Sequence, residues 1–297
     1  MDNTCSHKLP VLSIGTANFA DLYGTYKKTR IDKDQLEDFL DKAWDLGFRS
    51  IDTAMNYKGA YENLSNLKNF ISHNWNITTK LPKLDSGLKE EEIFSNVSSL
   101  IQESLDKLKA EKIHTVLIHD PWIESKPKEL KSILQALDSA YHKGFIDHYG
   151  LSAYSPISNT LLNRYLFEGK KFIIQGPLNI FDRRMEDYVL KKNNNIAFEA
   201  RSIFLQGMLL DFDIFKKYLG DGDEINQFQR WLDSNNINPL QACISYAKFS
   251  KAEKIIIGFS NILELQTFSE IFQKIDNYHP PVFCTSEKIL NPINWSN

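Results

Sequence analysis

From residue 11 onward, short β-branched or apolar runs alternate with longer amphipathic stretches, and the alternation repeats eight times. Such a chain pairs its strands in parallel, because a crossover that holds a helix brings the next strand back in the same direction. The candidate strands are Val11–Ala17, Arg49–Ala54, Ile77–Leu81, Thr115–Asp120, His148–Ala153, Phe172–Gly176, Ile196–Ser202 and Lys254–Phe259. They are short and nearly continuously apolar, the pattern of strands covered on both faces. The fold class this predicts is α/β, a (β/α)8 TIM barrel.

The stretches between them carry helical periodicity. Ile93, Val97, Leu100, Ile101, Leu105 and Leu108 return to one face at steps of three and four, and Leu130, Ile133, Leu134, Leu137 and Tyr141 form a second stripe behind Pro127. Gly47 and Gly144 stand where helices end and strands begin. No Pro-, Gly- or Ser-rich run interrupts the alternation, and 42% hydrophobic residues in a chain of 297 can build one large core, so residues 1–297 read as a single domain. The least regular insert is 209–238, with the acidic turn Gly220–Glu224 inside it. It reads equally as a lid over the barrel mouth or as a solvated excursion.

Composition excludes several classes of function. A net charge of −3 leaves no basic footprint for nucleic acid or an anionic membrane. Cys5, Cys243 and Cys284 are odd in number and lack CxxC spacing, which suggests neither a disulfide framework nor a metal site. Residues 1–10 are polar where a signal peptide would be apolar, and no run approaches the ~18 apolar residues of a membrane span, so the cytoplasm is the expected location.

Asp52, Lys80 and His119 each close a candidate strand, and Tyr57 follows five residues after Asp52. Strand ends of a (β/α)8 barrel share one mouth, where such folds keep their chemistry. A lysine beside a tyrosine hydroxyl favours the phenolate, a carboxylate keeps the lysine charged, and an imidazole can hydrogen-bond a carbonyl oxygen. The set suits addition of hydride to a carbonyl carbon as its oxygen gains a proton. Taken singly, each residue has an ordinary structural use as a cap, an ion pair or a core group.

These residues resemble the aldo-keto reductase superfamily from Gly15 to about Leu265. The resemblance lies in Gly15, Thr16 and Ala17 with Tyr23 and Gly24, in Gly47–Tyr57, in Thr79–Leu81, in Leu117–Pro121, in Gly150–Ser152, and in Ile174, Gln175, Asn179 and Asp182–Arg184. It implies an NAD(P)H-dependent barrel acting on a small-molecule carbonyl, with Tyr57 as general acid, Lys80 and Asp52 tuning it, and His119 positioning the substrate. It also implies that Ser152 and Gln175 hold the nicotinamide amide, and that Thr16, Arg201, Ser202, Phe204, Gln206, Gly258, Ser260 and Asn261 contact the cofactor. NADP(H) is expected over NAD(H), although no Lys or Arg follows Phe259 where many members grip a 2′-phosphate. Two further departures are Ala153, where many members have Asn, and one extra residue within Lys58–Glu62.

The similarity is greatest to bacterial members from surface-polysaccharide gene clusters, which share an ending like Leu290–Trp295 and suggest a sugar-derived carbonyl. Two other classes remain open at this level. One is a cofactor-binding barrel with a regulatory or scaffolding role. The other is a Schiff-base aldolase on Lys80, which would need a neutral amine. The oligomeric state is not legible.

Overall fold

The computed structural model describes residues 8–20, 22, 30–85, 87–119, 123–157, 171–191, 195–283, 285–290 and 295. Cys5, Tyr23, Gly24, Asp120, Pro121, Cys284 and 291–294 lie outside the described residues. Eight strands, β1 Val11–Gly15, β2 Ser50–Asp52, β3 Asn76–Leu81, β4 Ile113–Ile118, β5 Ile146–Ser152, β6 Phe172–Pro177, β7 Ile196–Arg201 and β8 Lys254–Ile257, pair in parallel in chain order. β8 returns to β1 and closes the barrel, as the alternation predicts. β2 is shorter than Arg49–Ala54, but its ladder runs on past Asp52, where Thr53 N donates to Thr78 O at 2.8 Å.

The helices are α1 Leu36–Asp45, α2 Ala60–Ser65, α3 Lys68–Ser72, α4 Glu90–Leu108, α5 Pro127–His142, α6 Arg184–Leu190, α7 Phe212–Leu219, α8 Asp223–Asn235, α9 Pro239–Lys248, α10 Ile262–Lys274 and α11 Glu287–Leu290. α4 buries Ile93, Val97, Ile101, Leu105 and Leu108, and α5 buries Leu130, Ile133, Leu134 and Leu137. Both stripes are those the periodicity predicts, and each such side chain stabilises by about 1.5–3 kcal/mol relative to exposure. Gly47 after α1 and Gly144 after α5 sit at φ +92° and +77°, conformations that a residue with a Cβ adopts at a cost.

The strands depart from the apolar expectation in a regular way. Their outward residues, such as Val116, Ile118, Leu151, Ile174 and Phe198, pack with α4 and α5 in one large cluster, while Ile14, Ile51, Ile255 and Ile257 pack with α1 and α10 in another. The inward residues are largely polar. Thr78 and Lys80 on β3 and Glu199 and Arg201 on β7 alternate with those apolar positions. Inside the barrel a small apolar layer, Leu117, Ile173 and Ala197, lies in register across β4, β6 and β7, with Gly150 between.

The insert 209–238, the least regular stretch of the sequence, is largely helical. It forms α7 and α8, whose buried Phe215, Leu219, Ile225, Phe228 and Leu232 share a cluster with Ile180, Phe181, Phe283 and Trp295. The spacing of Phe212, Phe215 and Leu219 and of Ile225, Phe228 and Leu232 is helical, and Asp211 caps α7 by accepting from Ile214 N at 3.1 Å. Among the described residues, no helix is long and apolar enough to cross a membrane.

Candidate active site

Asp52 ends β2, Lys80 is the penultimate residue of β3, His119 follows β4, and Tyr57 lies in the turn before α2. All four line one cavity at the mouth of the barrel. Lys80 Nζ donates to Asp52 Oδ1 at 2.5 Å and to Thr53 O at 3.0 Å, and both side chains are buried. The same ammonium lies 5.3 Å from the centroid of the Tyr57 ring, within cation–π range. Burial alone would lower the Lys80 pKa, but the Asp52 carboxylate, with Tyr57 beside it, outweighs that and raises it above the ordinary lysine value. Lys80 is therefore a charged group inside the barrel.

His119 has the opposite balance. Burial, together with the positive charges of Lys80 and Arg201, holds its pKa down at about 4, so the imidazole is neutral at pH 7. Its Nδ1 is buried without a hydrogen-bond partner among the described residues. A second tyrosine near the site, Tyr61, is excluded from the mouth. Its hydroxyl is tied to Thr79 Oγ1 and, at 3.3 Å, to Ser104 Oγ, and it does not line the cavity.

The cavity measures about 650 Å³ and runs from this cluster along the loop after β7 to the loop and helix after β8. Thr16, Ser152, Arg201 and Ser202 line it, as do Phe204, Gln206, Gly258 and Ser260. Gln175 and Asn261 do not. Asn261 Oδ1 accepts from Glu264 N at 2.9 Å and caps α10. Ala153, the departure after Ser152, offers its carbonyl oxygen to Arg201 at 3.1 Å, and the Arg201 guanidinium stacks 4.4 Å from the Tyr154 ring. Ser202, Leu205 and Gln206 adopt φ of 60°, 49° and 54°, so the loop after β7 holds three non-glycine residues in the left-handed region, of which Ser202 and Gln206 line the cavity. Such backbone strain concentrates at ligand sites.

Gln175 belongs to a buried polar chain beneath the cavity. Its Nε2 donates to Asp52 Oδ2 at 2.8 Å and to Glu199 Oε2 at 3.2 Å. Glu199 pairs with Lys254 at 2.7 Å, and Lys254 reaches Thr78 Oγ1 at 3.1 Å. Register explains the chain: Gln175 faces Glu199 across β6 and β7, and Glu199 faces Lys254 across β7 and β8. Burial would raise the Glu199 pKa, but the Lys254 ammonium and the Gln175 amide lower it below the ordinary carboxylate value.

Sequence reasoning missed Glu199 and Lys254, and it missed Tyr154, Asn18 and Glu264 on the cavity wall. Polar residues at alternate positions of otherwise apolar strands were the available signal for the first two. Asn18, whose Nδ2 donates to Phe259 O at 2.6 Å, ties the loop after β1 to the loop after β8.

The model of the aldo/keto reductase family matches residues 11–279. No curated protein matches the chain by sequence. Among solved structures, aldo-keto reductase AKR11C1 from Bacillus halodurans in its holo form is 18% identical, with a TM-score of 0.65 over 88% of this chain and 85% of that one. MGS-M4, an aldo-keto reductase enzyme from a Medee basin deep-sea metagenome library, is 18% identical, with a TM-score of 0.58 over 96% and 98%. PA4992 from Pseudomonas aeruginosa is 20% identical, with a TM-score of 0.62 over 90% and 91%. At these identities the likeness concerns the fold, and the family assignment rests on the sequence match over most of the chain. The chain is an oxidoreductase that belongs to the aldo/keto reductase family.

Proposed function

We propose that the cavity binds NAD(P)H and a small carbonyl compound, and that the chain reduces an aldehyde or ketone to the alcohol. The cavity fits a dinucleotide in three respects. Its volume of about 650 Å³ suits a cofactor pocket. Its wall is strained at Ser202 and Gln206. His119 Nδ1 is a buried polar atom without a protein partner among the described residues. When bound, the reduced nicotinamide supplies the hydride.

The chain's own residues do the rest. The Tyr57 hydroxyl gives its proton to the carbonyl oxygen, which gains charge as its carbon is reduced. Lys80 holds a positive charge beside that ring, and Asp52 fixes the lysine and keeps it protonated. Neutral His119 hydrogen-bonds the carbonyl oxygen and orients it toward Tyr57. Thr16, Ser152 and Arg201 would border the reacting end, while Ser202, Phe204, Gln206, Gly258 and Ser260, which line the same cavity, would hold the remainder of the cofactor. Gln175 acts through Asp52, and Asn261 through the cap of α10.

The observation that carries this reading is the buried Lys80–Asp52 pair beside the Tyr57 ring, in one cavity with an uncharged His119. The same pair opposes a Schiff-base aldolase, since an ammonium is not a nucleophile. The similarity of the chain's ending to surface-polysaccharide members favours a sugar-derived carbonyl, and Leu210 and Asp211, at the start of the helical insert, border the cavity on the side a lid would use.

The test is consumption of NADH or NADPH with a panel of keto-sugars, simple aldehydes and ketones. Turnover of at least one carbonyl is expected. Tight cofactor binding without turnover across the panel would replace this reading with the scaffolding barrel.

A further inference from the structure

Charge is distributed unevenly along the cavity. Among the described residues, its cationic side chains are Lys80 and Arg201. Both are engaged at the reacting end, Lys80 with Asp52 and Arg201 with Ala153 O and the Tyr154 ring. The far end, along the loop after β8 and the first turns of α10, is bordered by Gly258, Ser260, Leu263, Glu264 and Thr267. Its ionised group is a carboxylate. Glu264 is not free to swing away at no cost, because its Oε2 accepts from Ser260 N at 2.7 Å. Asp211, an acid elsewhere on the cavity wall, is likewise held, its Oδ1 accepting from Ile214 N at 3.1 Å.

We infer that the far end is built for an adenosine with a free 2′-hydroxyl, so that the chain selects NAD(H) over NADP(H), with Glu264 as the discriminating residue. This inference rests on the reductase reading above. A dinucleotide whose nicotinamide lies by Tyr57 and His119 would run along Ser202–Gly207 and place its adenosine where the cavity continues to the loop after β8 and α10. There the carboxylate of Glu264 can accept hydrogen bonds from ribose hydroxyls, the use to which acidic residues are put in NAD sites, whereas a 2′-phosphate requires an arginine or lysine. A phosphate dianion set against a fixed carboxylate pays both like-charge repulsion and unreplaced hydration. Leu263, 72% exposed, gives the same end an apolar surface that a purine would cover. The expectation of NADP(H) from family resemblance thus meets the wrong sign of charge in this chain.

The experiment is calorimetric titration of the full chain with NADH and with NADPH, in wild type, Glu264→Gln and Glu264→Arg, with circular dichroism to establish folding. Wild type is expected to bind NADH more tightly than NADPH, by up to about tenfold, the upper scale of one like-charge contact at an exposed site. Glu264→Gln keeps an acceptor for Ser260 N and should narrow the ratio, and Glu264→Arg should narrow it further or invert it by tightening NADPH. Equal or tighter binding of NADPH by the wild type, or a ratio unmoved in both folded variants, would overturn the inference and leave the reductase reading standing. Binding of neither dinucleotide would overturn that reading, and this inference with it.

Discussion

The Gln175 amide donates to Asp52 at 2.8 Å, so the carboxylate that holds Lys80 is itself held from below. The same nitrogen reaches Glu199 at 3.2 Å and joins two buried ion pairs into one chain across the barrel. Gln175→Met would keep the volume and remove a donor shared by two buried carboxylates. A loss of about 1–3 kcal/mol in urea unfolding is expected, the cost of leaving buried acceptors unmade. Wild-type stability in this variant would mean that the bridge carries no weight.

The deeper ion pair should behave asymmetrically. Lys254→Met leaves Glu199 buried without its counter-charge and is expected to destabilise the fold by about 3–5 kcal/mol. Adding Glu199→Gln should recover part of that loss, because the uncompensated charge is then gone. A double-mutant cycle in urea reads this directly, and simple additivity would exclude the coupling.

Acid should destabilise the protein through its histidines. Burial holds His114 and His119 at about 4 and lowers His148 as well. Unfolded imidazoles titrate near ~6.5. Between those values the unfolded chain binds more protons than the folded one, so stability rises with pH through this window and levels off above it. Urea midpoints measured from about pH 4 to about pH 7.5, across that window and just above it, should follow this course, and His114→Gln should flatten it. An unchanged slope in that variant would remove His114 from the effect.

Lys80 should resist chemical trapping. Its pKa lies above the ordinary lysine value despite burial, because Asp52 outweighs desolvation. Borohydride reduction in the presence of small aldehydes is expected to leave Lys80 unmodified, as peptide mass mapping would show. A reduced adduct on Lys80 would revive the aldolase chemistry.

The barrel was legible because the outward faces of its strands and the inward stripes of α4 and α5 are continuous runs of Ile, Leu, Val and Phe at the proper periods. The mouth residues were legible because Asp52, Lys80 and His119 each end such a run. The lumen was not. Gln175, Glu199 and Lys254 become neighbours only through strand register, and their separation in sequence gives no local sign of it. The helices of the insert were not legible because the acidic turn Gly220–Glu224 separates two short segments, each with its own apolar stripe of period 3.6. The charge of the far end depended on knowing which face of α10 borders the cavity, which a capping pattern at Asn261–Glu264 does not reveal.

In the reduction proposed above, Tyr57 is the residue on which the chemistry turns, since it is the group assigned to supply the proton. Tyr57→Phe retains the ring beside Lys80 and deletes the hydroxyl. Turnover of the best carbonyl substrate should fall by about 10²–10⁴-fold while dinucleotide affinity, read from quenching of cofactor fluorescence, stays near wild type. Undiminished turnover in the folded variant would contradict the assignment of Tyr57 as the acid.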